Sequence, residues 1–160
     1  MEEIGLRGVS CLDKFIPEAY FYASISERLE LLRGLIDTDG SVSSGGKVTF
    51  GSTSYKLITG LVRLVRSLGG TAKIWKKNTE KHRKNPFWKV GIWLNVSTSS
   101  LPRKACREKF NKSKNVAIVS ISRIETEPSQ CIAVDNELHQ YLTNDYTRTH
   151  NTGVRGTVEL

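Results

Sequence analysis

Two short stretches carry residues whose types and spacing could do chemistry. The first reads Leu31-Leu32-Arg33-Gly34-Leu35-Ile36-Asp37-Thr38-Asp39-Gly40. Two carboxylates, two residues apart, close an apolar run with helical spacing. A helix C-terminus already carries partial negative charge, so aspartates there need compensation. A divalent cation is one candidate, because hard oxygen ligands suit Mg²⁺; an acidic C-terminal turn without metal is the other. The second stretch is His150-Asn151-Thr152, with His139 upstream. The Asn151 carboxamide nitrogen can attack its own main-chain carbonyl carbon, giving a succinimide and freeing the amine of Thr152. That attack needs proton transfers on both sides. His150 stands where it can protonate the departing nitrogen, and His139, if folded back, could polarise or deprotonate the Asn side chain.

The elements that must position these residues are legible in outline. Ser24-Ile25-Ser26-Glu27 reads as a capping box opening a helix. Leu29, Leu32 and Leu35/Ile36 recur at helical spacing, and Gly40 can end the element. Gly34 would let a second helix approach that face closely. Residues 41–44 and 47–52 read as strands joined by Gly45-Gly46. Thr53 or Ser54 can cap a second helix, buried along Leu57, Leu61, Leu64/Val65 and Leu68 and stopped by Gly69-Gly70. Strands near 71–77 and 87–95 follow, then a poorly patterned basic stretch at 97–114. Alternation sends Val48 and Phe50 to one face and Lys47, Thr49 and Gly51 to the other. A saddle of strands with Lys and Thr on its open face could lie in a DNA groove, or be an ordinary half-solvated sheet.

Charge divides the chain. The formal total is +8, but residues 1–40 carry 4 basic and 8 acidic groups, residues 41–114 carry 17 and 2, and residues 115–160 carry 3 and 6. Nearly all of the imbalance sits in the middle, which favours a polyanion partner, most simply double-stranded DNA. Lys47, Lys73, Lys76, Lys77 and Lys89 are the candidate contacts. The three cysteines are far apart, so neither a disulfide framework nor a zinc site is expected. No apolar run approaches the roughly 18 residues that span a bilayer, and the N-terminus lacks a secretory pattern. A cytoplasmic protein without membrane contact is expected.

Leu32 to Gly40 resembles the signature of LAGLIDADG homing endonucleases, departing from it at Arg33 and Thr38. The helix-strand-strand-helix-strand-strand order resembles one repeat of that fold. The resemblance implies that paired motif helices form an interface between repeats, and that Asp39, the last motif carboxylate, holds Mg²⁺ between attacking water and scissile phosphate with Asp37 beside it. One of Lys73, Lys76 or Lys89 would assist. With one motif in the chain, cleavage needs a homodimer through the motif helix or a second chain. Residues 116–152 in turn resemble the C-terminal blocks of inteins, of the hedgehog/intein fold, on Val134-Asp135, His139, Tyr141-Leu142-Thr143-Asn144-Asp145-Tyr146 and Thr149-His150-Asn151-Thr152. That implies Asn151 as the last intein residue and Thr152 as the first C-extein residue, whose hydroxyl accepts the N-extein. Cys131 occupies a position where one intein class carries a nucleophile; a buried strand cysteine is the plainer reading.

The expected fold is therefore α+β: one αββαββ LAGLIDADG repeat (residues 1–112), then the C-terminal β segment of an all-β hedgehog/intein splicing domain (113–151), with 152–160 as C-extein or tail. An intein also needs an N-terminal nucleophile and a Thr-x-x-His block, which Met-Glu-Glu at the start does not supply. The expected function is splicing in trans with an N-terminal intein fragment, joined to a Mg²⁺-dependent endonuclease repeat. The alternative is a single-motif nuclease or DNA-binding protein that does not splice.

Overall fold

The computed structural model describes residues 5–77, 85–110, 118, 120–128, 132–144 and 146–150. It divides into two compact units, Met1–Asn115 and Val116–Leu160.

In the first unit a short 3-10 helix, Glu18–Tyr22, leads into helix α1, Ile25–Asp39. The Ser24 hydroxyl accepts from the Glu27 amide at 3.3 Å, and the Glu27 carboxylate accepts from the Ser24 amide at 2.9 Å. This reciprocal pair satisfies two of the amides that a helix start leaves open. Strands β1 (Gly40–Val42) and β2 (Val48–Ser52), helix α2 (Tyr55–Ser67), and strands β3 (Thr71–Lys77) and β4 (Phe87–Trp93) follow. The cap of α2 is Ser54, whose hydroxyl accepts from the Leu57 amide. The β1–β2 turn places Gly46 at φ +85°, in the left-handed region that a side chain resists.

The four strands form one antiparallel sheet in the order β1-β2-β4-β3. Its register sets Val48 opposite Ile92 and Phe50 opposite Val90. These four side chains face α1 and α2 and are buried with Leu32, Ile36, Ile58, Leu61, Leu64 and Val65. Helix α2 packs across β2, β4 and β3, while α1 packs on β1 and β2. The α2 stripe is wider than its spacing suggested, because Ile58 and Val62 are buried too and Leu68 only partly.

The basic stretch after β4 is not featureless. It contains a one-turn helix α3, Pro102–Ala105, opened by proline at its first position. The second unit contributes a two-stranded antiparallel hairpin, β5 (Gln140–Leu142) with β6 (Arg148–His150). Among the described residues, no helix is long and apolar enough to cross a membrane.

Candidate functional site

The acidic end of α1 is built into a latch. Lys104 of α3 is only 7% exposed. Its ammonium donates to the carbonyl oxygens of Ile36 (2.6 Å), Asp37 (2.9 Å) and Gly40 (2.8 Å). These are carbonyls of the last helical turn and its cap, where the helix dipole concentrates negative charge. Gly40 fits because a Cβ there would lie 2.6 Å from the Ile36 Cα.

Asp37 closes the latch from the other side. One carboxylate oxygen accepts from the Ser99 hydroxyl and the other from the Ser100 amide at 3.1 Å. Partial burial pushes this carboxyl up. The Ser99 hydroxyl, the Ser100 and Leu101 amides and the nearby Lys104 charge outweigh that, so it titrates below the ordinary aspartate value. Arg33 ties the same helix to the same segment, donating to the Ser97 carbonyl at 3.2 Å while pairing with Glu30 at 2.6 Å.

The positive group found at the helix end is the Lys104 ammonium, at the place where the sequence left a divalent metal ion and a metal-free acidic turn both open. Asp37, expected beside Asp39 as a metal ligand, has both oxygens engaged by residues 99 and 100. Asp39, the last residue of α1, is exposed. Among the described residues no group of three or more His, Cys, Asp or Glu converges as a metal cage. Asp39 alone still suits Mg²⁺, which commonly takes one or two carboxylates plus substrate phosphates. Lys104 escaped sequence reasoning. Leu101-Pro102 was the local signal for a helix start, but nothing local marks one lysine among six basic residues as buried.

The lysines sort by the pleat. Strand pairing puts Lys89 with Thr49, Lys73 and Lys77 on the sheet face away from the helices, and the Lys47 ammonium lies over Trp75 of that same face. Ser41 and Thr49 share a hydroxyl–hydroxyl hydrogen bond of 2.9 Å on that face. Lys76, grouped with them from the sequence as a candidate DNA contact, lies on the other face of the sheet. It is paired with Trp88, its ammonium 5.8 Å from that ring's centroid, and Trp88 meets Tyr55 of α2 at 4.7 Å.

In the second unit, the β5–β6 register sets Gln140 opposite His150 and so brings His139 to His150, ring centroids 6.3 Å apart and edge to face. His139 sits at φ +48°. The Asn136 side chain holds the turn before it, donating to the Gln140 carbonyl at 2.8 Å and accepting from the amides of Leu138 and Gln140. The Nδ1 atom of His139 faces the Val134 carbonyl at 3.3 Å. With the proton on Nδ1, that contact is a hydrogen bond and Nε2 is left as the basic nitrogen. Asn151, Thr152 and Cys131 lie outside the described residues.

A family model described as a LAGLIDADG-like domain matches residues 26–124. The chain is also similar to a protein of Mycobacterium intracellulare named replicative DNA helicase DnaB. The two are 32% identical over 163 aligned positions, which cover 95% of this chain and 27% of that protein. The chain thus spans about a quarter of the length of this relative.

Proposed function

The chain belongs to the LAGLIDADG-like domain family, and on that footing we propose that it is the C-terminal portion of an intein with one endonuclease repeat. It acts in the cytoplasm, its second unit completing a splicing domain begun by an N-terminal fragment. The observation that carries this reading is the His139–His150 pair, held ring to ring across the hairpin that runs into Asn151. Similarity across nearly the whole chain to only a quarter of a helicase also suits an element embedded in a host of that kind.

In the splicing step His139 withdraws a proton from the Asn151 carboxamide, whose nitrogen attacks the Asn151 main-chain carbonyl carbon. The bond to the Thr152 nitrogen breaks, a succinimide forms, and His150 gives its proton to the departing amine. Before that, the Thr152 hydroxyl accepts the N-extein acyl group. Cys131 is the candidate for an earlier acyl transfer. Mixing the chain with a matching N-terminal intein fragment should give a ligated product carrying Thr152–Leu160, read by mass spectrometry. Ligation that persists with Asn151→Ala, with loss of the intein, would refute the cyclisation step.

The first unit serves as a DNA-binding and cutting half-site. Lys47, Lys73, Lys77 and Lys89 contact double-stranded DNA. The motif helix pairs with a second copy across the Gly34 face, where a Cβ would meet nothing within 4 Å. Asp39 would hold Mg²⁺, which supplies Lewis-acid stabilisation at the scissile phosphate. The second reading, a DNA endonuclease or binder without splicing, draws on the fact that this unit owns a buried core and a lysine-bearing face. Metal-dependent plasmid nicking, with no splicing in any partner mixture, would favour it.

A further inference from the structure

His139 stands on the unexpected side of its own strand. Directly opposed residues of an antiparallel pair share a face, so His150 lies on the face of Gln140, its partner across the hairpin. Successive strand residues alternate. A regular extension of β5 back to residue 139 would therefore turn that side chain away from His150. The two rings nonetheless stand 6.3 Å apart, edge to face. The backbone accounts for this, because His139 has φ +48°, in the left-handed region that a side chain resists. Among the described residues the other non-glycine residue at positive φ is Tyr146. Tyr146 lies inside the β5–β6 turn, where a tight hairpin calls for left-handed residues. His139 lies before β5, where the hairpin makes no such demand.

What holds this conformation is Asn136. Its carboxamide grips both main-chain groups of Gln140, donating to the carbonyl at 2.8 Å and accepting from the amide at 3.1 Å. The same oxygen accepts from the Leu138 amide at 3.1 Å, and the Asn136 carbonyl accepts from the His139 amide at 3.0 Å. One side chain thus pins the residues on both sides of His139, and the main chain of the same residue pins His139 itself. The ring is held in turn by the contact of its Nδ1 with the Val134 carbonyl at 3.3 Å. A carboxamide offers a donor and an acceptor on one group; a carboxylate offers acceptors alone, and alanine offers neither.

We propose that Asn136 is a positioning residue for asparagine cyclisation: it holds the backbone at residue 139 left-handed, so that the His139 ring faces His150 and the end of β6 that leads to Asn151. The proposal rests on the splicing reading of the second unit and adds a residue to its machinery. Asn136 acts through His139. A displacement of that ring by about 1 Å would spoil its approach to the Asn151 carboxamide proton. The earlier transfer of the N-extein acyl group to the Thr152 hydroxyl does not draw on His139 in this scheme. Asn136 therefore matters to the second step and not to the first.

The test mixes the full chain with a matching N-terminal intein fragment and follows two species by mass spectrometry. One is the branched ester on Thr152; the other is the ligated product freed when the Asn151–Thr152 bond breaks. Asn136→Ala should leave formation of the ester unchanged and slow its resolution by roughly a hundredfold, so that the ester accumulates. Asn136→Asp keeps the two accepted amide bonds and should restore resolution to within about tenfold of the parent. In the pair arrested by Asn151→Ala, imidazole nitrogen shifts should place the His139 proton on Nδ1, and adding Asn136→Ala should mix the two tautomers. Equal slowing of both steps would make Asn136 merely structural and overturn the proposal, as would resolution at the parental rate in Asn136→Ala; either result leaves the splicing reading standing. A His139 proton on Nε2 in the arrested pair, a measurement that needs no change at residue 136, would overturn it too. A parent chain that forms neither species would overturn the splicing reading and the proposal with it.

Discussion

Lys104 and Asp37 grip each other's segments in opposite senses. The Lys104 side chain holds the main-chain oxygen of Asp37 at 2.9 Å, and the Asp37 side chain holds the Ser99–Ser100 turn that leads into the helix bearing Lys104. Neither residue meets the other through its charged ends, yet each fixes the backbone that presents the other. The result is a rigid end to α1, with Asp39 left facing solvent.

Replacing Lys104 by methionine keeps much of the apolar stem and removes the ammonium. Three carbonyls then lose their donor at a buried helix end. The expected loss is roughly 2–3 kcal/mol of unfolding free energy, measurable by urea denaturation. A loss near zero would mean that water replaces the ammonium.

Asp37→Asn tests the carboxylate through pH. Its folded-state pKa is lowered, so its contribution is fully present above the unfolded value of about 3.9. That contribution disappears as pH falls through the folded value. The variant should be less stable than the parent near neutrality, with the gap closing in acid. Glu27 is also held low, by the Ser24 hydroxyl and amide, but it is common to both proteins and cancels. An equal gap in neutral and strongly acidic buffer would rule out the carboxylate as the source.

Asp39→Asn should behave differently. The residue is exposed at the helix end, so stability should change by no more than about 0.5 kcal/mol. Mg²⁺-dependent plasmid nicking should disappear. Nicking that survives the change would remove Asp39 from the proposed hydrolytic site.

Gly34→Ala separates the chain from its assembly. A Cβ at Gly34 meets nothing within 4 Å, and alanine favours the helix over glycine by up to about 1 kcal/mol. The single chain should melt higher. If motif helices pair across this face, self-association seen by sedimentation should weaken at the same time. A variant both more stable and equally associated would place the pairing elsewhere.

What the sequence disclosed was mostly local. The Ser24–Glu27 box, the α2 stripe and the Gly45-Gly46 turn depend on neighbours within a few residues, and all three lie close to where the pattern put them. The LAGLIDADG-like domain was legible from nine contiguous residues. Lys104 was not, because its three acceptors are 64 to 68 residues away along the chain. Lys76 was assigned by proximity in sequence, when the parity of the β3 pleat already separated it from Lys73 and Lys77. The electrostatic demand of the helix end was legible, but the tertiary side chain that meets part of it, Lys104, was one that composition had counted among the surface charges.

The latch also sets an order of events during synthesis. The motif helix is translated early, but the groups that finish its last turn arrive only with residues 97–104. A nascent chain that has emerged from the ribosome as far as Leu94 would already have the four strands and two large helices, yet the tip bearing Asp39 would still fray. Loop closure over so long a separation is slow relative to helix formation. The carboxylate is therefore presented in fixed geometry only after the ribosome has released α3.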